Sequence, residues 1–209
     1  MKLTGIKIHI KLPQHNHMST SKLSLLLLLF AFLANAGVLH SQELQTIQKL
    51  GLGINGLDLA VEIPLAENIT IEPAVGLGPS YDFWEDEIIM GRTGFGWALL
   101  EPSVHASVYG KFFYNRDKRR QKRKSMLLNS GKFIGVKIKY VSTPLTNYEY
   151  HGKTNTLIAN LNWGGQRNIG KHWNYSYFLG VSYGRNLDSS YGTFYPGIDL
   201  KVAYVLPLF

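Results

Sequence analysis

His105 and Ser107 stand two residues apart in a segment whose residues alternate in character, and this spacing could support hydrolysis. In an extended strand, residues i and i+2 share a face, so an imidazole could act as general base for a serine nucleophile. Glu101 on the same face could orient the imidazole. Because buried polar groups must be paired, we favour a hydrogen-bonded interior network over a catalytic site. Its members would be Glu101, His105, Tyr109 and Lys111.

A basic run occupies positions 116–124, with seven basic residues and one acidic residue. Such a run could bind anionic lipid headgroups, at about 1 kcal/mol per charge near an anionic surface. The alternative is a solvated turn whose charges keep it out of lipid. No aromatic residue interrupts the run, so we do not predict a nucleic-acid partner. Its cations are Arg116, Lys118, Arg119, Arg120, Lys122, Arg123 and Lys124.

Positions 81–87 hold four acidic residues and large aromatic side chains, which could contact a divalent cation or an external ligand. The segment lacks the spaced Asp or Asn residues and the Gly of a calcium loop. We therefore expect an exposed loop and predict no metal site and no cofactor. The glycines at 51, 53 and 56 do not form a phosphate cradle, because no helix follows them.

The composition is unusual for a water-soluble domain. Charged residues make up 17% of the chain and aromatic residues 12%, with 21 Gly and no Cys. Soluble domains usually carry about 25% charged residues. Low charge with many aromatic residues and glycines suits strands that have one face in lipid. The lack of cysteine excludes disulfides, thiolate metal sites and a cysteine nucleophile.

The net charge of +8 is unevenly distributed. Four lysines lie before residue 42, which leaves 18 basic against 14 acidic residues in the rest of the chain. The run at 116–124 alone contributes +6, so the remainder is near −2. The mature chain is therefore not generally basic.

A secretory signal is predicted at residues 1–41. An unbroken apolar run at 24–33 follows Lys22 and precedes the sequence Ala34-Asn35-Ala36, which resembles a cleavage site. The run is too short for a membrane-spanning helix, which needs about 20 apolar residues. Cleavage could follow Ala36 or Ser41, and Met18 is an alternative start.

Seven segments alternate with period 2 between apolar and small or polar residues, which predicts strands. One face carries aromatic residues at both ends, which is typical of lipid-facing strands. The clearest rows begin at Leu57, Ile69, Ile134, Leu157, Trp173 and Ile198, and the remaining strand lies within 95–114. If the strands run up and down across an outer membrane and both ends of the strand-forming region lie in the periplasm, the number of strands must be even.

We therefore predict an eighth strand from Gln48 to Ile54, followed by a tight Asn55-Gly56 turn of type I′. The apolar phase changes across this turn, from even-numbered to odd-numbered positions. A single strand with a bulge at Gly56 would explain the phase change equally well, but it would leave an odd number of strands.

The predicted fold is all-β: a closed, antiparallel, up-and-down transmembrane barrel of about eight strands over residues 42–209. After residue 42 no apolar run could cross a membrane as a helix, and only helices and closed barrels satisfy every backbone group in lipid. Outer loops are expected near 82–94, 142–155 and 185–195, and periplasmic turns near 64–68, 114–131 and 165–172. The alternative is a soluble β-sandwich or lipocalin-like barrel whose apolar rows face inward.

Three segments at 62–73, 100–131 and 162–169 resemble the small outer-membrane β-barrel proteins of Gram-negative bacteria, especially those of Bacteroidota. They include Glu62-Ile63-Pro64-Leu65, Leu100-Glu101-Pro102 and Asn162-Trp163-Gly164-Gly165. The resemblance implies a porin-like fold in the cell outer membrane. It implies no activity, because the group has no common catalytic motif and fold does not dictate function.

We accordingly predict a non-catalytic structural or surface-interaction protein, monomeric and surrounded by outer-membrane lipid. One alternative is a lipid A or phospholipid hydrolase, because outer-membrane lipid A deacylases use a similar His-x-Ser pair. The Asn-Ala-Gly that follows the pair in those enzymes is replaced here by Val108-Tyr109-Gly110. A narrow conduit is the other alternative.

Overall fold

The structure, a computed structural model, describes residues 44–86, 92–146, 155–188 and 191–207. All of them belong to one compact unit, Val38–Phe209. The predicted signal segment at 1–41 lies outside the described residues. Parts of the three predicted outer loops also lie outside them, including Glu87 of the acidic cluster.

Eight strands and one short helix make up the described chain. The strands are β1 (Ile47–Gly53), β2 (Gly56–Ala66), β3 (Ile69–Asp86), β4 (Arg92–Phe112), β5 (Gly131–Val141), β6 (Thr156–Ile169), β7 (Trp173–Asn186) and β8 (Gly192–Leu206). Between β4 and β5 lie the helix α1 (Arg116–Gln121) and a 3₁₀ turn at Leu127–Asn129. No helix among these residues is long and apolar enough to span a bilayer.

The strands form a single antiparallel sheet in which each strand pairs with its neighbours in sequence. The sheet closes on itself because β1 also pairs with β8. Leu50 stands opposite Leu59 of β2 on one side and opposite Tyr204 of β8 on the other. The predicted all-β class and the count of eight antiparallel strands are confirmed.

The first hairpin confirms a separate short strand before Gly56, but the predicted turn geometry was wrong. Gly53 pairs with Gly56, so the two loop residues are Ile54 and Asn55. Neither has the positive φ that both central residues of a type I′ turn require. Gly56 instead takes φ +107° as the first residue of β2. Glycine suits this position because an added Cβ would lie 2.1 Å from the Leu77 carbonyl oxygen.

The apolar rows face away from the interior of the ring, and the polar rows face into it. On β5, the outward-facing Val136 is 53% exposed, whereas the inward-facing Lys139 is 5% exposed. On β4 the face shared by Glu101 and Lys111 is buried, while Val104 and Val108 are exposed. Val61 of the first apolar row departs from the pattern because it is buried. The inward-facing apolar rows of the soluble alternative are not the arrangement found.

The connection between β4 and β5 folds against one end of the ring. Leu128 packs with Ile47 and Val205, which belong to the first and last strands. Its carbonyl oxygen accepts hydrogen bonds from Gln166 at 3.0 Å and Asn174 at 3.1 Å. Asn129 exchanges two 2.8 Å hydrogen bonds with the backbone of Gln45. We call residues 113–130 the cap segment.

At the other end, β3 and β4 extend into a long hairpin that reaches across to β6 and β7. The pairing shifts from Pro79–Pro102 to Ser80–Ala98, which marks a bulge in β4. Beyond it, the Phe83 carbonyl accepts a 2.8 Å hydrogen bond from Asn186 of β7. The Phe83 ring lies so close to Gly184 that an added Cβ there would come within 2.0 Å of it. Much of the predicted 82–94 loop is therefore paired strand, and the hairpin covers this end of the interior.

Candidate functional site

Four buried charged residues from four consecutive strands form an ion cluster in the interior. Lys49 of β1 lies 2.7 Å from a Glu62 carboxylate oxygen and also pairs with Glu72 of β3. Lys111 of β4 pairs with Glu72 and lies 3.6 Å from Glu62 of β2. Each side chain is at most 6% exposed. The two lysines and two glutamates balance in charge.

Neutral polar groups also donate hydrogen bonds to both carboxylate oxygens of Glu62. Thr70 donates to Oε1 at 3.1 Å, and the amide of Gln166 donates to Oε2 at 3.0 Å. The oxygen of the same amide accepts from Lys111 at 3.2 Å. Since Gln166 also donates to the Leu128 carbonyl, the ion cluster is connected directly to the cap segment.

The geometry explains why charges are tolerated in this position. Removing charges from water costs several kcal/mol per ion, and good geometry with additional hydrogen bonds is needed to offset that cost. The ion cluster has both. A second buried pair, Lys201 with Asp58, joins β8 to β2 across β1.

The four residues of the predicted network are all buried, but they do not form one network. Lys111 belongs to the ion cluster, whereas the Tyr109 hydroxyl donates to Asn162 on β6 at 2.6 Å. Glu101 accepts a weak 3.4 Å hydrogen bond from Ser80. His105 Nδ1 has no hydrogen-bond partner among the described residues. Alternation along β4 identifies which of its residues face inward, but the hydrogen-bond and ion-pair partners of Glu101, Tyr109 and Lys111 lie on other strands.

Sequence reasoning missed Lys49, Glu62 and Glu72, which carry most of the ion cluster. A signal for them existed. Glu62 falls on the face opposite the apolar row that contains Leu59 and Val61, and Glu72 falls on the face opposite Ile71. A charged residue on the polar face of a predicted strand points inward, so each was available as a candidate.

The structure does not assemble a hydrolytic site from His105 and Ser107. Both side chains face the interior and are buried. Within the described ranges no hydrogen bond joins them to each other or joins His105 to Glu101. A nucleophile and its base are normally within hydrogen-bond reach.

Two cations of the basic run are buried, so the solvated turn considered for this run does not describe all seven of them. Arg116 and Arg119 are 1% and 4% exposed, respectively, since α1 packs them against the end of the ring. The Arg116 guanidinium lies 5.9 Å from the centre of the Phe113 ring, a cation–π contact. Arg119 donates to the Ser125 carbonyl within the cap segment. Burial, together with the neighbouring charge of Arg167, lowers the pKa of the Arg119 guanidinium.

The other five cations of the run are exposed. Arg120 forms a loose surface pair with Asp117 at 3.7 Å. The helix shows why the run divides: residues three apart share a face, so 116 and 119 face the ring together. The exposed cations are Lys118, Arg120, Lys122, Arg123 and Lys124.

The acidic segment does not form a metal site in the part that is described. Tyr81 and Phe83 are buried in the interior with Val141 and Ile158, and the Asp82 carboxylate accepts from Asn186 at 3.2 Å. No group of three or more potential metal ligands occurs among the described residues. The expectation that this segment is an exposed loop is therefore wrong for Tyr81 and Phe83.

A cavity of about 310 Å³ lies beneath the β3–β4 hairpin. Its walls are aromatic and aliphatic, with two lysines of β5 among them. Trp97 and Phe95 line it while remaining 39% and 38% exposed, respectively, so this side is reached by solvent. The other lining residues are Asn55, Tyr81, Lys137, Lys139, Ile158, Asn160, Phe178, Ser182, Tyr195, Pro196, Gly197 and Ile198.

Comparisons with known proteins give no relative for this chain. No family model matches it, and no curated protein or solved structure is significantly similar to it.

Proposed function

We propose that this chain is an integral outer-membrane β-barrel protein of the Gram-negative, Bacteroidota-like type, with a structural or surface-interaction role and no catalytic role. The observation that carries the proposal is the outward face of the ring, where leucine, valine and isoleucine side chains stand exposed on strand after strand. Monomeric soluble proteins rarely expose apolar patches larger than a few hundred Å². A hydrocarbon environment removes the cost of exposing this surface to water.

Aromatic residues at both ends of the apolar rows support a membrane position. Exposed aromatic residues near the cap segment include Phe112, Tyr114, Trp163 and Trp173, and those near the hairpin include Tyr140, Tyr183 and Phe194. Trp163 donates a 2.6 Å hydrogen bond to the Tyr114 hydroxyl. Girdles of aromatic residues flank the apolar band of outer-membrane barrels.

The spacing of these aromatic residues fits a bilayer. The step of ten residues from Trp173 to Tyr183 extends about 33 Å along β7, at about 3.3 Å per residue. A strand tilt of about 40° would reduce this height to about 25 Å, which is the apolar thickness that such barrels present.

The interior supports a filled barrel in preference to a conduit. The ion cluster and the cap segment occupy one half of the interior, and the hairpin covers the cavity in the other half, which fits the side-chain-filled interior of a barrel of about eight strands. We therefore expect no steady conductance in planar bilayers. Among the described residues no hydrogen bond joins His105 to Ser107, which argues against the hydrolase.

The five exposed cations of the cap segment suit a membrane surface. They lie at the same end as Ile47 and Leu206, which we assign to the periplasm. There they would meet the anionic headgroups of the inner leaflet.

Fractionation and gel migration test this proposal. The full chain, expressed in a Gram-negative host, should sediment with outer membranes, resist extraction by alkaline carbonate and migrate differently before and after boiling. A boiled sample of the same fraction serves as the control. Recovery in a soluble fraction, or a membrane fraction whose migration is unchanged by boiling, would contradict the proposal.

A further inference from the structure

The cavity beneath the β3–β4 hairpin combines an apolar enclosure with positive charge. At about 310 Å³ it is at the lower end of the range for small-molecule sites, which are mostly apolar with a few placed polar groups. Phe95 and Tyr195 stack against each other in its wall, with ring centres 4.4 Å apart. Its polar groups include two lysines from the same inward face of β5, Lys137 and Lys139.

These lysines differ from the other interior lysines because neither forms an ion pair with a described residue. Lys49, Lys111 and Lys201 each pair with at least one carboxylate. Within the described ranges, Lys137 and Lys139 form no ion pair, and Lys139 Nζ has no hydrogen-bond partner although it is 5% exposed. Its neighbour is the Tyr81 ring, whose centre is 5.1 Å away.

Asp199 of β8 lines a small pocket together with Lys137, but among the described residues it forms no ion pair with Lys137 or Lys139. One oxygen of Asp199 also lacks a hydrogen-bond partner among the described residues. A buried charge without a partner is costly, so a site of this kind favours an arriving counter-charge.

We propose that this cavity binds a small amphipathic carboxylate, with its anionic group on Lys139 and Lys137 and its apolar body among Tyr81, Phe95, Trp97 and Tyr195. The carboxylate would supply the charge-assisted hydrogen bonds that Lys139 lacks. The aromatic walls would bury the rest of the ligand. The site goes beyond the proposed structural role and depends on the residues that line the cavity, so its test is independent of the membrane location.

Calorimetric titration tests the proposal with two probes of equal shape. The full chain is purified in detergent if it fractionates with membranes and in buffer if it does not. It is titrated with 2-naphthoate and with neutral 2-naphthalenemethanol, and the heat of the same titration into protein-free detergent or buffer is subtracted. We expect saturable one-to-one binding of the carboxylate and at least tenfold weaker binding of the alcohol. Absence of saturable binding, or equal affinity for the two probes, would overturn the proposal.

Two lysine variants on the same strand locate the site. K139M should weaken naphthoate binding at least tenfold, because it removes the charge and keeps most of the side-chain volume. K132M is the matched control, since Lys132 does not line the cavity, and it should bind like the unmodified chain. Unchanged binding by K139M would overturn the assignment. If K139M fails the gel-shift test for folding, the comparison of the two probes on the unmodified chain still decides.

Discussion

At the scale of single residues, the described interior contains lysines that form ion pairs with carboxylates and lysines that form none. The ion cluster places Glu72 between two lysines, while the lysines of the cavity face aromatic rings. Lysine therefore forms ion pairs near the cap segment, whereas in the cavity beneath the hairpin Lys139 has no hydrogen-bond partner among the described residues.

Replacing Glu72 tests the stabilising half. In E72Q the cations of Lys49 and Lys111 would share one carboxylate, so we expect a loss of about 3–5 kcal/mol in the free energy of unfolding. Urea titration of the folded protein measures it. The control is E67Q, the same change in the exposed turn between β2 and β3, which should cost less than about 0.5 kcal/mol. A loss below 1 kcal/mol for E72Q would show that the ion cluster does not stabilise the fold.

The sequence allowed the inward residues of β4 to be identified but not their partners. Glu101, His105, Tyr109 and Lys111 share a face by alternation alone. The pairing of Lys111 with Glu72 depends on the register between β3 and β4 and on how far each long side chain reaches across the interior. Neither quantity can be derived from period 2, so alternation indicates which residues share the inward face but not which hydrogen bonds they form.

At the scale of elements, alternation located all eight strands, including the short β1. The connections were predicted less well. The β3–β4 extension was expected to be an exposed loop because it lacks the pattern of a calcium loop, whereas Tyr81 and Phe83 are buried. In the cap segment, the run of charges suggested a solvated turn, but one face of α1 buries Arg116 and Arg119. Composition does not reveal which face of a short segment finds a surface to pack on.

Two arginine substitutions on β6 test whether its outward face meets hydrocarbon. Leu161 lies in the middle of the strand and Leu157 near one end, and both face outward. In a bilayer, L161R should cost about 2–4 kcal/mol and L157R about 0–1 kcal/mol. Unfolding from lipid vesicles measures both. Equal and negligible costs would indicate that the outward face meets water.

At the scale of the whole molecule, both ends of the ring are covered, and the connections divide between them. Turns at 67–68 and 170–172 and the cap segment lie at one end, and the β3–β4 hairpin and the β7–β8 connection lie at the other. An up-and-down sheet with an even number of strands requires this arrangement.

Because the chain contains no cysteine, single introduced thiols can report this arrangement. With a membrane-impermeant maleimide, L187C at the hairpin end should be labelled in intact cells. K171C, at the cap end, should be labelled only after the outer membrane is permeabilised. The unmodified chain is the control for background. The reverse pattern would invert the assigned orientation, and labelling of both sites in intact cells would contradict a membrane-spanning ring.

The pairing of β1 with β8 has a consequence for how the chain reaches its native state. Residues such as Leu50 and Tyr204 must meet although about 150 positions separate them, so closing the ring requires the formation of very distant contacts. Until β8 arrives, β1 and β7 each present an unpaired edge to which another chain can add. Pairing of β8 with β1 and β7 therefore competes with pairing between different chains during assembly. Slow docking of β8, or a shortened C-terminal segment, would favour aggregation.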